Sequence, residues 1–170
     1  MPPSTRRPTG AVLARAATID APAGMPVLIV AGRLSPRLGG EAVAGALARG
    51  LAQGGLATPE ALTLPARGTR ATGVRELLEA ERFDDRAHAA RAVIVAVAEL
   101  RERSLADSAA FEVATRARQA GVPAYAIAGH GGLDPFDARI LDLQLVLVAA
   151  SARSLAAAGR KLAPLLLAQS

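Results

Sequence analysis

A chain of 170 residues, 51% hydrophobic and 21% charged, has room for one domain and enough apolar content to bury a core, which excludes a disordered protein. With no cysteine, only His88 and His130 as histidines, and 2% aromatics without tryptophan, it excludes disulfide scaffolds, cysteine catalysis, the usual zinc sites and base-stacking single-strand readers. The net charge of +5 is arginine charge, since of 20 basic residues only Lys161 is a lysine, but the arginines are interspersed with 15 acids. That dispersal reads as a solvated surface, and an Ala/Arg/Gly-rich chain without asparagine is the mark of a GC-rich genome, so nucleic-acid binding is not expected.

Residues 1–25 hold Pro2, Pro3, Pro8 and Pro22 with Arg6, Arg7 and Arg15. They lack the continuous apolar stretch and cleavage site of a signal peptide, and they read as a flexible tail, with a helical turn allowed around Val12–Ala17. No stretch approaches the ~20 apolar residues of a membrane helix, so no membrane partner is expected and the cytoplasm is the expected location.

Residues 26–170 read as one domain in which short apolar runs alternate with helical ones. Val27–Ala31 (VLIVA) is apolar at consecutive positions and ends at Gly32, the pattern of a strand buried on both faces. Glu41–Gln53 places Val43, Leu47 and Leu51 on one helical face, and Gly54-Gly55 stops it. Ala61–Leu64 is a short strand cut off by Pro65, and Thr72–Arg82 is a helix through Val74, Leu77 and Leu78. Ala92–Ala98 (AVIVAVA) is the strongest strand. A helix over Leu105–Ala120 follows, ended by Gly121 and Pro123; then come a strand over Ala124–Ala128, a short helix over Pro135–Leu141 and a strand over Leu143–Ala149. Ser151 is an N-cap for a last helix carrying Leu155, Leu162, Leu165 and Leu166.

Five apolar strands alternating with helices predict an α/β fold, a doubly wound, three-layer parallel sheet of flavodoxin-like type in the order 2-1-3-4-5. Such sheets take ligands beyond the carboxyl ends of their strands, and that directs attention to the loops there. Gly32–Gly40 carries Arg33, Ser35 and Arg37 but matches neither of the common phosphate-loop patterns. It reads either as a phosphate site at the start of the next helix or as an ordinary tight turn. Gly129-His130-Gly131-Gly132 sets a histidine between glycines, suited to anion binding or proton transfer, or else simply a polar residue on a loop. No acid pairs with it in the sequence. Arg33 and Arg101 stand where a receiver domain on this fold would need acids, and the few aromatics cannot sandwich a flavin.

Taken together, the strand-end segments resemble the glycerate kinase family. Phe83–Ser108 resembles the stretch FDxxLxGADLVITGEGRLDxQSLxGK, with Phe83, Asp84, Val93, Ile94, Leu100, Ser104 and Leu105 in place. RQAGVPAYAIAGHGGLD, Arg118–Asp134, is similar to RRAGVPVIALAGxVGLD. VLIVAGRLSPRLGGEAVAGALARGL resembles the family's opening, Leu64–Ala80 overlays LPMADGGEGTVDALVAA, and ASARSLAAAGRKLAPLL resembles its last helix. The resemblance implies a longer ancestor with a second α/β domain between the regions that here almost meet, at Ala80 and Phe83.

The chemistry-bearing positions depart from the family's. PDSFKGS becomes Gly32–Leu38, with Pro36 where the lysine stood; DGGEGT becomes Gly68-Thr69-Arg70-Ala71-Thr72-Gly73, without acids. In place of TGEGRLD, Val97 replaces the glutamate, and Arg101 replaces the aspartate that the family is thought to use as base. Arginine stays charged and has no acceptor, so it neither holds Mg²⁺ nor takes a proton. Three readings follow. The first is a non-catalytic family member whose carboxyl edge binds an anionic small molecule or an acidic protein surface, with no cofactor and no metal; the candidates are Arg33, Ser35, Arg37, Arg67, Gly68, Thr69, Arg70, Arg101, Arg103, Gly129, His130 and Gly131. The second is an ATP- and Mg²⁺-dependent glycerate phosphotransferase completed by another chain. The third is a structural subunit of a homo-oligomer. For the first, the plain alternative is that Glu99 and Glu102 pair with neighbouring arginines while the rest face water.

Overall fold

The structure is a computed structural model; it describes residues 24–57, 59–65, 71–101, 106 and 108–169. The expected tail, apart from its last residues, lies outside them. Five strands, β1 (Val27–Ala31), β2 (Glu60–Thr63), β3 (Ala92–Leu100), β4 (Ala124–Gly131) and β5 (Leu143–Val148), form one sheet in the order β2-β1-β3-β4-β5. All four pairings are parallel, as the consecutive apolar runs predict. Helices α1 (Gly40–Gln53), α2 (Ala71–Ala80), α3 (Phe83–His88), α4 (Ala109–Gln119), α5 (Pro135–Ile140) and α6 (Ala152–Leu167) connect and follow them.

Alternation along each strand divides its apolar side chains between two cores. Leu28, Val30, Val93, Val95, Ala124, Ala126 and Ala128 meet α2, α3 and α4 on one face. Val27, Ile29, Ala92, Ile94, Ala96, Tyr125 and Ile127 meet α1 and α6 on the other. A strand buried on both faces has no polar side for alternation to show, which is why these runs read as continuous. Among the described residues, no helix is long and apolar enough to cross a membrane.

The structure corrects the expected elements in three places. Phe83–His88 forms α3, entered through Arg82 in the left-handed region (φ 51°); with six residues it carries too little periodicity to be read. The helix expected from Leu105 begins instead at Ala109, because the Ser108 side chain accepts from the Phe111 N–H at 3.1 Å and caps it there. Finally, β3 and β4 run on past Ala98 and Ala128 to Leu100 and Gly131, so Glu99, His130 and Gly131 stand on strands and not on loops. At the other end of the chain the Ser151 cap is present as predicted, in a reciprocal box with Ser154.

Candidate functional site

The two central strands outreach their neighbours at the carboxyl edge. β1 ends level with Ala96 and β5 level with Ala128, whereas β3 and β4 remain paired through Glu99–His130 and Leu100–Gly131. Gly131 closes this ribbon with φ 75°, which an L side chain rarely adopts. At Gly129 a Cβ would lie 2.9 Å from the Ala98 carbonyl oxygen and 3.4 Å from Leu34 Cγ. The glycine therefore lets the β1–α1 loop pack directly against the ribbon.

That loop is folded on itself. Leu38 N–H donates to the Ser35 carbonyl at 3.0 Å, a turn with Pro36 at the position proline favours. Arg33 Nη2 donates to the Pro36 carbonyl at 3.2 Å, which commits part of its guanidinium locally. Arg37 is exposed and makes no ion pair among the described residues. Gly39 then begins α1 without a side-chain cap.

The ribbon carries the one charged cluster that the structure assembles from the expected site residues. Glu99 Oε1 meets Arg101 Nε in an ion pair and lies 3.4 Å from His130 Nε2. His130 and Arg101 are both largely exposed, while Glu99 is about one-third exposed and its Oε1 is sealed from solvent. The oxygen accepts no well-formed hydrogen bond, although two cationic or potentially cationic groups face it. Two basic side chains thus face one carboxylate oxygen. His130, for which the sequence shows no acid partner, has one in Glu99.

Of the remaining candidates, Arg67, Gly68, Thr69, Arg70 and Arg103 lie outside the described residues. Asp134, near the same edge, is occupied in capping α5, where it accepts from Phe136 N–H at 2.8 Å and Asp137 N–H at 2.9 Å. Among the described residues, no three histidine, aspartate, glutamate or cysteine side chains gather as metal ligands would.

The most connected ionic group of the described residues lies on helices, outside the loops singled out in the sequence. Arg116 on α4 bonds Glu112, Asp84 and Glu79 at 2.9, 3.1 and 3.3 Å, tying α4 to α3 and α2. Burial alone would raise the Glu112 pKa, but bonds and charge from Arg116 and Arg75 outweigh it and hold the carboxyl below its ordinary range. Arg116 is the reverse case: burial would lower its pKa, and the three carboxylates raise it. The sequence signal for this group is the Glu112–Arg116 spacing of four on a helix; its other members come from other elements.

No curated protein matches this chain. A family model does: the model of the glycerate kinase family matches residues 39–168. The match covers most of the chain, and it begins at the end of the β1–α1 loop, after Arg33, Ser35 and Arg37.

Proposed function

The chain belongs to the glycerate kinase family, and from that premise we propose that it is a non-catalytic member whose carboxyl edge binds an anionic small molecule. The plain alternative expects Glu99 to pair with a neighbouring arginine, as it does; what carries the reading beyond it is that His130 joins the pair. Arg101 and His130 converge on a single carboxylate oxygen of Glu99 that accepts no well-formed hydrogen bond. The spot thus already holds an anionic oxygen, supplied by the protein itself, and a carboxylate or phosphate brought by a ligand could present its oxygens there in better geometry.

Kinase chemistry in this family would bring Mg²⁺ and ATP, which call for carboxylates around the metal and a base for the attacking hydroxyl. The described residues do not fit that group. Glu99 faces Arg101 and His130, Asp134 is spent on a helix cap, and among the described residues no three acid or histidine side chains gather as metal ligands would.

Two experiments test the reading. In a thermal-shift titration, phosphate and citrate are expected to raise the melting temperature saturably at low salt, since a ligand at ~100 times its Kd adds about 2.7 kcal/mol. Arg101→Ala is expected to abolish the shift. Glu99→Gln, which removes the competing charge, is expected to tighten phosphate binding about tenfold, or ~1.4 kcal/mol. Absence of any anion-induced shift, or equal responses from wild type and both variants, would refute the reading. In the second experiment, purified protein supplied with Mg-ATP and glycerate is expected to show no turnover above a no-enzyme control. Turnover lost on Arg101→Ala would instead favour a phosphotransferase.

A further inference from the structure

The sheet has two edges, and they are protected very differently. β2 is four residues long, and its Glu60 pairs with Arg86 at 3.1 Å. β5, LQLVLV, has six residues, no charge and no proline, so of the usual devices that keep an edge strand from pairing it has only the irregularity at its amino end, between Leu143 and Leu145. Its side chains are also poorly covered. Leu145, Val146 and Leu147 are only half-buried, and Val148 is 62% exposed. Phe136 and Ile140, one turn apart on the adjoining α5, are 70% and 53% exposed.

We propose that this edge is a homodimer interface in which β5 of one copy pairs antiparallel with β5 of a second, joining the two sheets into one. A two-fold axis normal to the sheet keeps corresponding faces on the same side, so opposed residues share parity. A register centred on Val146 then sets Leu145 opposite Leu147 of the second copy on the face of the α1–α6 core, and regular alternation ends at the irregularity between Leu143 and Leu145. It also brings the amino end of one β5, just past which Asp142 stands, to the carboxyl end of the other, where Arg153 lies in the first turn of that copy's α6. Asp142 and Arg153 are both exposed, and neither has an ion pair among the described residues, so antiparallel pairing sets unlike charges at each end of the seam. Parallel addition would set each beside its own kind. The face is about 20 Å long and three layers of ~10 Å deep, which is the scale of the ~800 Å² per partner that stable dimers bury.

The Ala149 N–H donates inward to the Ala128 carbonyl at 2.8 Å, so the Val148 N–H, one residue back, faces the open edge. Val148→Pro removes that outward donor while leaving the β4–β5 ladder its own bonds, and Val148→Lys adds an edge charge at an exposed position. Light scattering and sedimentation of the full chain are expected to show a dimer for wild type. Both variants are expected to weaken it at least tenfold, with circular dichroism unchanged. A wild type that stays monomeric up to about 100 μM, or a dimer that Val148→Pro leaves intact, would overturn the proposal.

Discussion

Replacing Arg116 by leucine is expected to lower the stability of the fold by about 2–4 kcal/mol, read as a lower urea midpoint at unchanged slope. Its guanidinium is 11% exposed and Glu112 is 13% exposed, so their 2.9 Å contact is the part of the network that water does not screen. Asp84 and Glu79 are each about 60% exposed and contribute little on their own. Leucine would recover some burial, but it leaves Glu112 charged, nearly enclosed and facing only Arg75 at 3.5 Å. The cost of that orphaned carboxylate outweighs the apolar gain. As a contrast, Asp85→Asn breaks the Arg82–Asp85 pair, whose side chains are 80% and 67% exposed, and is expected to change stability by less than about 1 kcal/mol.

The same network sets a pH dependence with a definite sign. Glu112 is held below the ordinary carboxylate range in the folded state. Its contribution is therefore complete above the unfolded carboxylate pKa and is lost as pH falls through the folded value. Arg116 is shifted upward, so its contribution persists through neutral and acid pH and fades only at strongly alkaline pH. Wild type is expected to lose stability as pH falls below the unfolded carboxylate range, from about pH 4 toward pH 2. In Arg116→Leu the burial of Glu112 is opposed by Arg75 alone, and the loss is expected to be shallower. Parallel slopes in the two proteins would mean that the acid sensitivity arises elsewhere.

A glycine-to-alanine change is expected to have opposite signs at two helical positions. At Gly159 of α6, a Cβ would lie 2.6 Å from the Leu47 carbonyl oxygen, 2.9 Å from Leu51 N and 3.0 Å from Gly50 Cα. All three are backbone atoms of α1, so none yields by rotating a side chain. Alanine gains about 1 kcal/mol of helix propensity, but forcing two helix backbones apart costs more than the ~1–3 kcal/mol typical of overpacking. Gly159→Ala is expected to be destabilised by about 2 kcal/mol net, a fall of ~4–8 °C in Tm for a chain of this size. At Gly45 of α1 the nearest atom is Arg49 Nη1 at 3.7 Å, and there propensity acts unopposed. Gly45→Ala is expected to gain about 0.5–1 kcal/mol. Scanning calorimetry on both variants checks the pair of signs.

The architecture of this protein was legible in its residues because the signals are local. Val27–Ala31 and Ala92–Ala98 are apolar at every position, and only a strand covered on both faces needs that. Glycine, proline and Ser151 mark ends by their own backbone preferences. Those facts suffice for a parallel, three-layer sheet, and the flavodoxin-like type supplies the order observed. What the tertiary structure alone decided depends on relations between distant segments. β3 and β4 end their apolar runs together at Ala98 and Ala128, yet they pair with Val97 opposite Ala128. That one-residue offset, set by packing of both faces, is what puts Glu99 beside His130. Arg116 draws Asp84 and Glu79 from 32 and 37 residues away, and no pattern along the chain records which charges three converging helices will enclose. Local chemistry determined the elements and which loops share the carboxyl edge of the sheet; register and helix packing decided which charges meet there and which are spent holding the fold.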